Sequence, residues 1–446
     1  MVGVAGLTNP QTEAKLKPSH PSQLAPRREL FAWAMYDFAN SGYTTVVLTA
    51  IFNAYFVGVI AASVNHGGAT LLWTVAMSIA NGLVLLTAPV VAALADFGAN
   101  KKRFLAITTL GCIGFTASLA LVEPGEIVWA MTAVVAATVM FSAGENIIAA
   151  FLPEIAPQDD MGRISGYGWA LGYFGGLLVL ALCLAYVSWA EARGQTPSQF
   201  VPVTMLITAG MFALAALPTF IFLRERATRS QLPEGEHYLF IGFKRVWETW
   251  KHARRYQDLF RFLLTLTVFQ SGIYTVIVLA AIYAQKVMGF TTQDTVVMIL
   301  VVNVTAAIGA FFFGRLQDRL GSIRTLVLVL LLWIGALVTA YASKDRATFW
   351  VVANMIGLAL GSSQSASRAL VGQFSPPGRS AEFFGLWGLA VKLAAIIGPL
   401  SYGVIAAITM GNHRLALLST TAFFIVGLVL LRTVNESRGR EASEAV

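Results

Sequence analysis

Charge is the first thing this chain is short of. Only 12% of its 446 residues are Asp, Glu, Lys or Arg, against about 25% in an average soluble domain. So few charges cannot cover a water-facing surface, which excludes an ordinary soluble globular protein. Cysteine is nearly as scarce. Cys112 and Cys183 fall in different apolar runs, with the spacing of neither a disulfide framework nor a metal site, and read as packing residues of a membrane core. The five histidines (His20, His66, His237, His252 and His413) all lie in tails or loops. There is no His-Glu-x-x-His, no paired cysteine motif and no Walker loop. These absences leave no enzymatic constellation, and the chain is expected to need no cofactor and no metal. Without a nucleotide site, any solute movement would be passive or driven by a gradient.

What the chain has in excess is apolar sequence, 57% of the total. It comes in runs of about 20 residues or more, long enough at ~1.5 Å per residue to cross a ~30 Å hydrocarbon layer. Twelve spans are predicted: 31–61, 69–95, 103–122, 127–155, 164–190, 200–223, 258–287, 294–316, 323–343, 348–372, 380–409 and 414–434. Residues 1–29 are polar and expected to form a disordered cytoplasmic tail, with no cleavable signal peptide in view. The expected division is a six-helix bundle over 30–223, a hydrophilic linker over 224–257, a second six-helix bundle over 258–434 and a cytoplasmic tail over 435–446. The fold class is thus all-α and polytopic, with 12 transmembrane helices in two pseudo-symmetric bundles.

The net charge of +8 is best read by location. With this topology 25 of the 31 basic residues fall on the side of the two termini. Five lie opposite (Arg193, Lys286, Lys344, Arg346 and Arg414), and Lys392 is left inside a span. Positive-inside sorting then puts both termini in the cytoplasm. Basicity reports topology and contact with anionic lipids, not a nucleic-acid partner. In the linker, Phe240, Phe243, Trp247 and Trp250 recur at intervals of 3, 4 and 3, with Lys244, Arg245, Glu248, Lys251 and Arg254 on other faces. That pattern predicts a basic amphipathic helix on the membrane surface, although a calmodulin-type target would look the same.

One loop pattern occurs twice. Phe-Gly-Arg-Leu-Gln-Asp-Arg-Leu-Gly occupies 313–321, and a weaker copy, Ala-Leu-Ala-Asp-Phe-Gly-Ala-Asn-Lys-Lys-Arg, occupies 93–103. Their aspartates, Asp318 and Asp96, stand 222 residues apart, about half the chain. Glycine permits close helix approach, an aspartate can face the N-terminal dipole of a neighbouring helix, and flanking Arg103, Arg315 and Arg319 can pair with it. The pattern suits a latch between the halves; a static topology anchor is the alternative. The 93–103 copy is degenerate, with Ala92 where the other has Gly314. Glu154, Arg163, Arg368 and Glu382, near span ends on the same side, are expected to join the gating network.

Ionisable groups inside spans cost several kcal/mol unless paired or wetted. Asp37 lies roughly 14 Å into span 1 by helical rise, Glu145 lies at similar depth in span 4, and Lys392 is near mid-membrane in span 11. Two acids from one half and an amine from the other suggest a central cavity, serving substrate binding, proton coupling or a structural salt bridge. Tyr36, Asn40, Tyr173, Gln270 and Gln364 are further candidates for the cavity wall. Span 5 adds a small-residue stripe, Gly168, Gly172, Gly175 and Gly176, that allows a helix to pack closely and rock.

The block from Trp33 to Tyr43, Trp-Ala-Met-Tyr-Asp-Phe-Ala-Asn-Ser-Gly-Tyr, resembles the opening helix of the vacuole effluxer-like branch of the major facilitator superfamily. The resemblance continues through Ala149-Ala-Phe-Leu-Pro-Glu154, the Gly162–Gly176 block, Gly361-Ser-Ser-Gln-Ser-Ala-Ser-Arg368, Glu382-Phe-Phe-Gly385, Lys392 and Ile397-Gly-Pro399. Two positions depart from the pattern: Ser363 stands where a glycine is usual, and Glu145 beside Asn146 is particular to this chain. The resemblance implies a twelve-helix major facilitator fold and secondary transport, with amino-acid efflux in fungal members. The combined expectation is a monomeric, multi-pass protein of a bacterial cytoplasmic membrane. It would move a small polar solute, an amino acid or related metabolite, by alternating access, with protons as a coupling option. A drug or lipid exporter of the same fold, and a non-transporting sensor or scaffold, are the rivals.

Overall fold

A computed structural model of the chain describes residues 20–64, 68–226, 244, 247–248, 251, 254–408 and 412–445. The described residues are helical almost throughout and contain no strand. Each predicted span becomes one long helix: α1 (Arg27–Ile60), α2 (Gly68–Phe97), α3 (Lys101–Leu121), α4 (Ile127–Ala149), α5 (Met161–Glu191) and α6 (Pro197–Phe222). The second half supplies α7 (Gln257–Lys286), α8 (Thr292–Leu320), α9 (Ser322–Ala342), α10 (Arg346–Phe374), α11 (Ser380–Ile408) and α12 (His413–Leu431). A short polar helix, α13 (Glu436–Glu444), follows. The polar tail before residue 20 and the linker positions Phe240, Phe243 and Trp250 lie outside the described residues. Trp247 is exposed, with the Lys251 ammonium 5.7 Å from its ring centroid.

Helix starts follow local chemistry. Thr291 and Asp294 exchange hydrogen bonds of 3.0 Å at the head of α8, a capping box that satisfies two orphan donors. Asp345 accepts the Thr348 amide at 2.8 Å to open α10. Gly321, at φ +87°, makes the sharp turn between α8 and α9.

Eleven of the twelve helices are apolar enough to count as membrane spans on length and composition alone. The exception is α10, which is long enough at 29 residues but carries Ser362, Ser363, Ser365, Ser367, Arg368 and Gln373, all buried. Ser362, Ser363 and Ser367 donate to carbonyls one turn back, and Arg368 is paired, so these groups sit inside protein and not in lipid.

Two apolar cores result. One, around Trp33, Tyr43, Phe52, Phe56 and Phe151, draws mainly on α1–α6; the other, around Phe262, Phe269, Trp333, Phe383 and Phe424, draws mainly on α7–α12. Large apolar side chains such as Leu86, Leu110, Val128, Leu214, Leu400 and Ile408 point outward on the belt a bilayer would cover. The halves meet mainly along two helix pairs, α5 with α8 and α2 with α11, with α10 against α5 and α11 against α4 beside them. At the first pair Gly162, Gly166 and Gly314 bring backbone against backbone: a Cβ on Gly314 would stand 2.6 Å from the Gly162 carbonyl oxygen. Both ends of the described chain lie on one face, called here the basic face. There the Ala25 amide donates to Ile155 at 2.9 Å, and Arg440 of α13 reaches Asp159 at 2.7 Å.

Candidate functional site

Between the halves lies a cavity of about 340 Å³. From α1 it takes Asp37, Asn40, Ser41, Thr44 and Leu48; from α2, Met77 and Asn81; from α4, Thr138, Phe141 and Glu145. Trp169 and Gly172 of α5, Tyr274 of α7, Arg368 of α10, and Lys392 and Ala395 of α11 complete the wall. The α1 backbone along this wall is not regular. Beyond Tyr43 it takes wider turns, with amides donating five residues back, Ile51 to Val46 and Ala61 to Phe56, both at 2.9 Å.

Arg368 is the pivot. Its Nη1 donates to Asp37 Oδ2 at 2.7 Å, its Nε to Ser165 Oγ at 3.1 Å and its Nη2 to the Ser165 carbonyl at 2.8 Å. The guanidinium also lies 4.7 Å from the Trp33 ring centroid and 5.3 Å from that of Trp169. One C-half cation is thus boxed by four N-half side chains and fixed across the interface. Gly168 makes this possible, because a Cβ there would land on Asp37 Oδ2 and stand 2.5 Å from Arg368 Nη2. Glu145 and Lys392, by contrast, reach the cavity without a hydrogen bond or an ion pair within 4 Å to any described residue. The wall therefore holds two acids and two bases, one pair joined and the other open.

Beneath the cavity the basic face is closed by two reciprocal caps. Asp96, at the end of α2, accepts the Glu382 amide at 2.8 Å, at the N-terminus of α11 in the other half. Asp318, at the end of α8, accepts the Arg163 amide at 3.0 Å, at the N-terminus of α5. Each carboxylate faces the positive end of a helix dipole across the interface. Lys101 ties the first cap into a buried cluster: its Nζ lies 3.2 Å from Asp96, pairs closely with Glu154 and donates to Ser380 Oγ at 3.0 Å. Arg379 braces Glu382 at 2.9 Å. Outside the membrane, Glu225 accepts the Lys101 amide at 2.7 Å and the Lys102 amide at 3.2 Å. Burial pushes this carboxyl above its ordinary value while the two amides pull it down. The C-terminal helix adds a third brace, with Arg438 on Asp258 at 2.6 Å and Ser443 receiving Gln158 at 3.3 Å.

The sequence-predicted residues divide sharply. Asp37, Asn40, Glu145 and Lys392 share the cavity. Tyr36 does not: its hydroxyl is buried against Thr109 at 2.8 Å inside the N-half core. Tyr173 packs beside Trp169 at 6.0 Å, outside the lining, and Gln270 and Gln364 each sit one turn before a lining residue, Tyr274 and Arg368. Arg368, expected in the gating network, lines the cavity as well. Asp96, Asp318, Glu154, Glu382 and the Arg163 amide meet at the caps. Arg103 and Arg319 are exposed and pair with nothing among the described residues, and Arg315 lies on the Tyr167 and Phe311 rings at 5.0 and 3.6 Å instead of pairing with Asp318. Sequence reading missed Lys101, Ser165, Tyr274 and the boxing role of Trp33. For Lys101 a signal was there: it is the first basic residue after Asp96 and the first residue of its helix, where the helix dipole disfavours a lysine unless acids such as Asp96 and Glu154 pair with it.

Comparison with known proteins agrees with this architecture. The family described as "Vacuole effluxer Atg22 like" matches residues 53–444, a range that begins after Asp37 and Asn40. The uncharacterized MFS-type transporter YxiO of Bacillus subtilis is 26% identical over 416 residues, 93% of this chain and 96% of the relative. Autophagy-related protein 22 of Saccharomyces cerevisiae is 25% identical over 315 residues, 63% of this chain, which spans 58% of that relative's length. Among solved structures, the human organic anion transporter MFSD10 superposes with a TM-score of 0.72 at 13% identity, over 91% of this chain and 99% of the other. The proton:xylose symporter XylE gives 0.66 at 13% identity, over 94% and 96%. At such identities the structural likeness speaks for the fold, a major facilitator fold in a multi-pass membrane protein. By sequence, the chain belongs to the vacuole effluxer Atg22-like family.

Proposed function

We propose that this chain is a secondary transporter that moves a small polar solute, an amino acid or related metabolite, by alternating access. The observation that carries the reading is the charge arrangement of the cavity. Asp37 and Arg368 satisfy one another across the halves, while Glu145 and Lys392 stay open. An acid and a base that face one another electrostatically across one small cavity, without closing to an ion pair within 4 Å, suit a zwitterion, whose ammonium meets Glu145 and whose carboxylate meets Lys392. Relatives named as transporters support the class.

The basic face, by positive-inside sorting, is the cytoplasmic one. Opening it requires the α2–α11 and α5–α8 pairs to separate, which pulls on the Asp37–Arg368 bridge. Breaking a buried pair costs about 3–5 kcal/mol unless another charge or a proton compensates. Protonation of Asp37, or substrate charge taking its place, lowers that barrier, which couples cargo or protons to opening.

Counterflow of labelled amino acids in proteoliposomes tests the proposal. Saturable flux is expected; binding without flux would make the chain a sensor. Lys392→Ala should raise the half-saturating concentration by about tenfold or more, the loss of one charge-assisted contact, and unchanged affinity would remove Lys392 from the substrate site. Asp37→Asn should abolish flux driven by a pH gradient while the protein stays folded. Flux with unaltered pH dependence would take Asp37 out of the mechanism.

A further inference from the structure

Away from the cavity, α1, α5 and α8 enclose an apolar groove of about 490 Å³ on the outer surface of the bundle. Leu30, Phe31, Leu171, Phe174 and Phe311 form its walls, and the one charged residue in it is Arg27, the first residue of α1. Phe31 and Phe174 are 54% and 50% exposed, so the groove faces lipid. A second crevice of about 440 Å³ lies along α8, formed by Phe312, Phe313 and Leu316 with Arg315 and Arg319. Arg315 stands between the two, stacked 3.6 Å from the Phe311 ring centroid, with Nη1 on the Phe311 carbonyl at 3.1 Å. None of Arg27, Arg315 and Arg319 has an ion pair within 4 Å to a described residue, and neither lining contains an acid.

We propose that this surface binds one anionic diacyl phospholipid, its phosphate on Arg315 between Arg27 and Arg319, and one acyl chain in each crevice. The dimensions fit. Arg27 and Arg319 are helix-end residues at headgroup level, and Phe174 lies 13 residues into α5, about 20 Å along the helix, past the ~15 Å depth of one leaflet. Three cations, with no acid in the lining of either crevice, complement a phosphate, and the stacked Arg315 is held ready for it. The groove is built from both halves, α1 and α5 with α8, directly beside the Gly314–Gly162 contact. Separation of α5 from α8 would split it, so a bound lipid favours the closed basic face.

Native mass spectrometry of the purified full chain, with phosphatidylglycerol and phosphatidylcholine in competition, tests this. One phosphatidylglycerol per chain should be retained with a preference of at least about tenfold, from basic residues each contributing about 1 kcal/mol near a lipid surface. Arg315→Gln should cut the preference about fivefold, Arg315→Lys should keep most of it, and Leu171→Trp, which fills the groove without touching charge, should reduce retention. All three are compared at matched monodispersity in gel filtration. Equal retention of phosphatidylcholine, an Arg315→Gln variant with its preference intact, or displacement by soluble glycerol phosphate would overturn the proposal. Retention of single-chain lysophosphatidylglycerol as strongly as the diacyl lipid would overturn the two-crevice arrangement.

Discussion

The caps at Asp96 and Asp318 do the same job with opposite means. Asp318 belongs to the intact copy of the loop pattern, and its helix approaches α5 through three glycines, backbone to backbone. Its carboxylate is only partly buried and accepts a backbone amide, with no lysine or arginine side chain among the described residues paired to it. Asp96 belongs to the eroded copy. Ala92 stands where a glycine would, and here α11 supplies the small residue instead: a Cβ on Gly385 would lie 3.0 Å from that of Ala92. The displaced basic run places Lys101 fully inside, where it links Asp96, Glu154 and Ser380. A degenerate motif has thus become the more charged and more deeply buried of the two. Motif similarity ranked them one way, and burial ranks them the other.

This difference is open to direct attack. Lys101→Met should have the largest effect, because it leaves Asp96 and Glu154 buried without their cation; about 3–5 kcal/mol of stability should go, read as thermal unfolding of the purified protein. Asp318→Ala removes one interfacial helix cap and should cost about 1 kcal/mol, read as the same thermal unfolding. If the two variants melt together, the caps are equivalent and the contrast fails. Smallest of all should be Arg103→Gln, an exposed residue for which no change in Tm is expected; a drop matching that of Lys101→Met would mean that the cap cluster has been assigned to the wrong cation.

The fold was legible because the bilayer imposes its demand locally. A run of apolar residues must become a helix of fixed length wherever it stands in the chain, so all twelve segments could be read without knowing their neighbours. The α10 segment was legible as a span from its length although it is too polar to qualify on composition alone; Ser362, Ser363 and Ser367 donate one turn back inside the fold. The site was legible only in part. Asp37, Asn40, Glu145 and Lys392 stand out because a polar group at that depth needs a reason. Tyr36 and Tyr173 are amphipathic, and nothing in their spacing separates a cavity wall from a packing face. Arg368 sits six residues from the end of its helix, about 9 Å in, which looks like an interfacial residue until the reach of its side chain is counted.

The sequence by itself determined how many times the chain crosses, where its charges collect, and which residues are too expensive to bury without purpose. Those are properties of single segments against a uniform solvent. Tertiary structure alone decided which partner each charge found: Arg368 with Asp37 across 331 residues, Lys101 with Ser380 across 279, Asp96 with the Glu382 amide across 286. Such pairs depend on how two bundles face one another. Helical periodicity stops at the end of each helix, so the choice of partner belongs to the packed molecule.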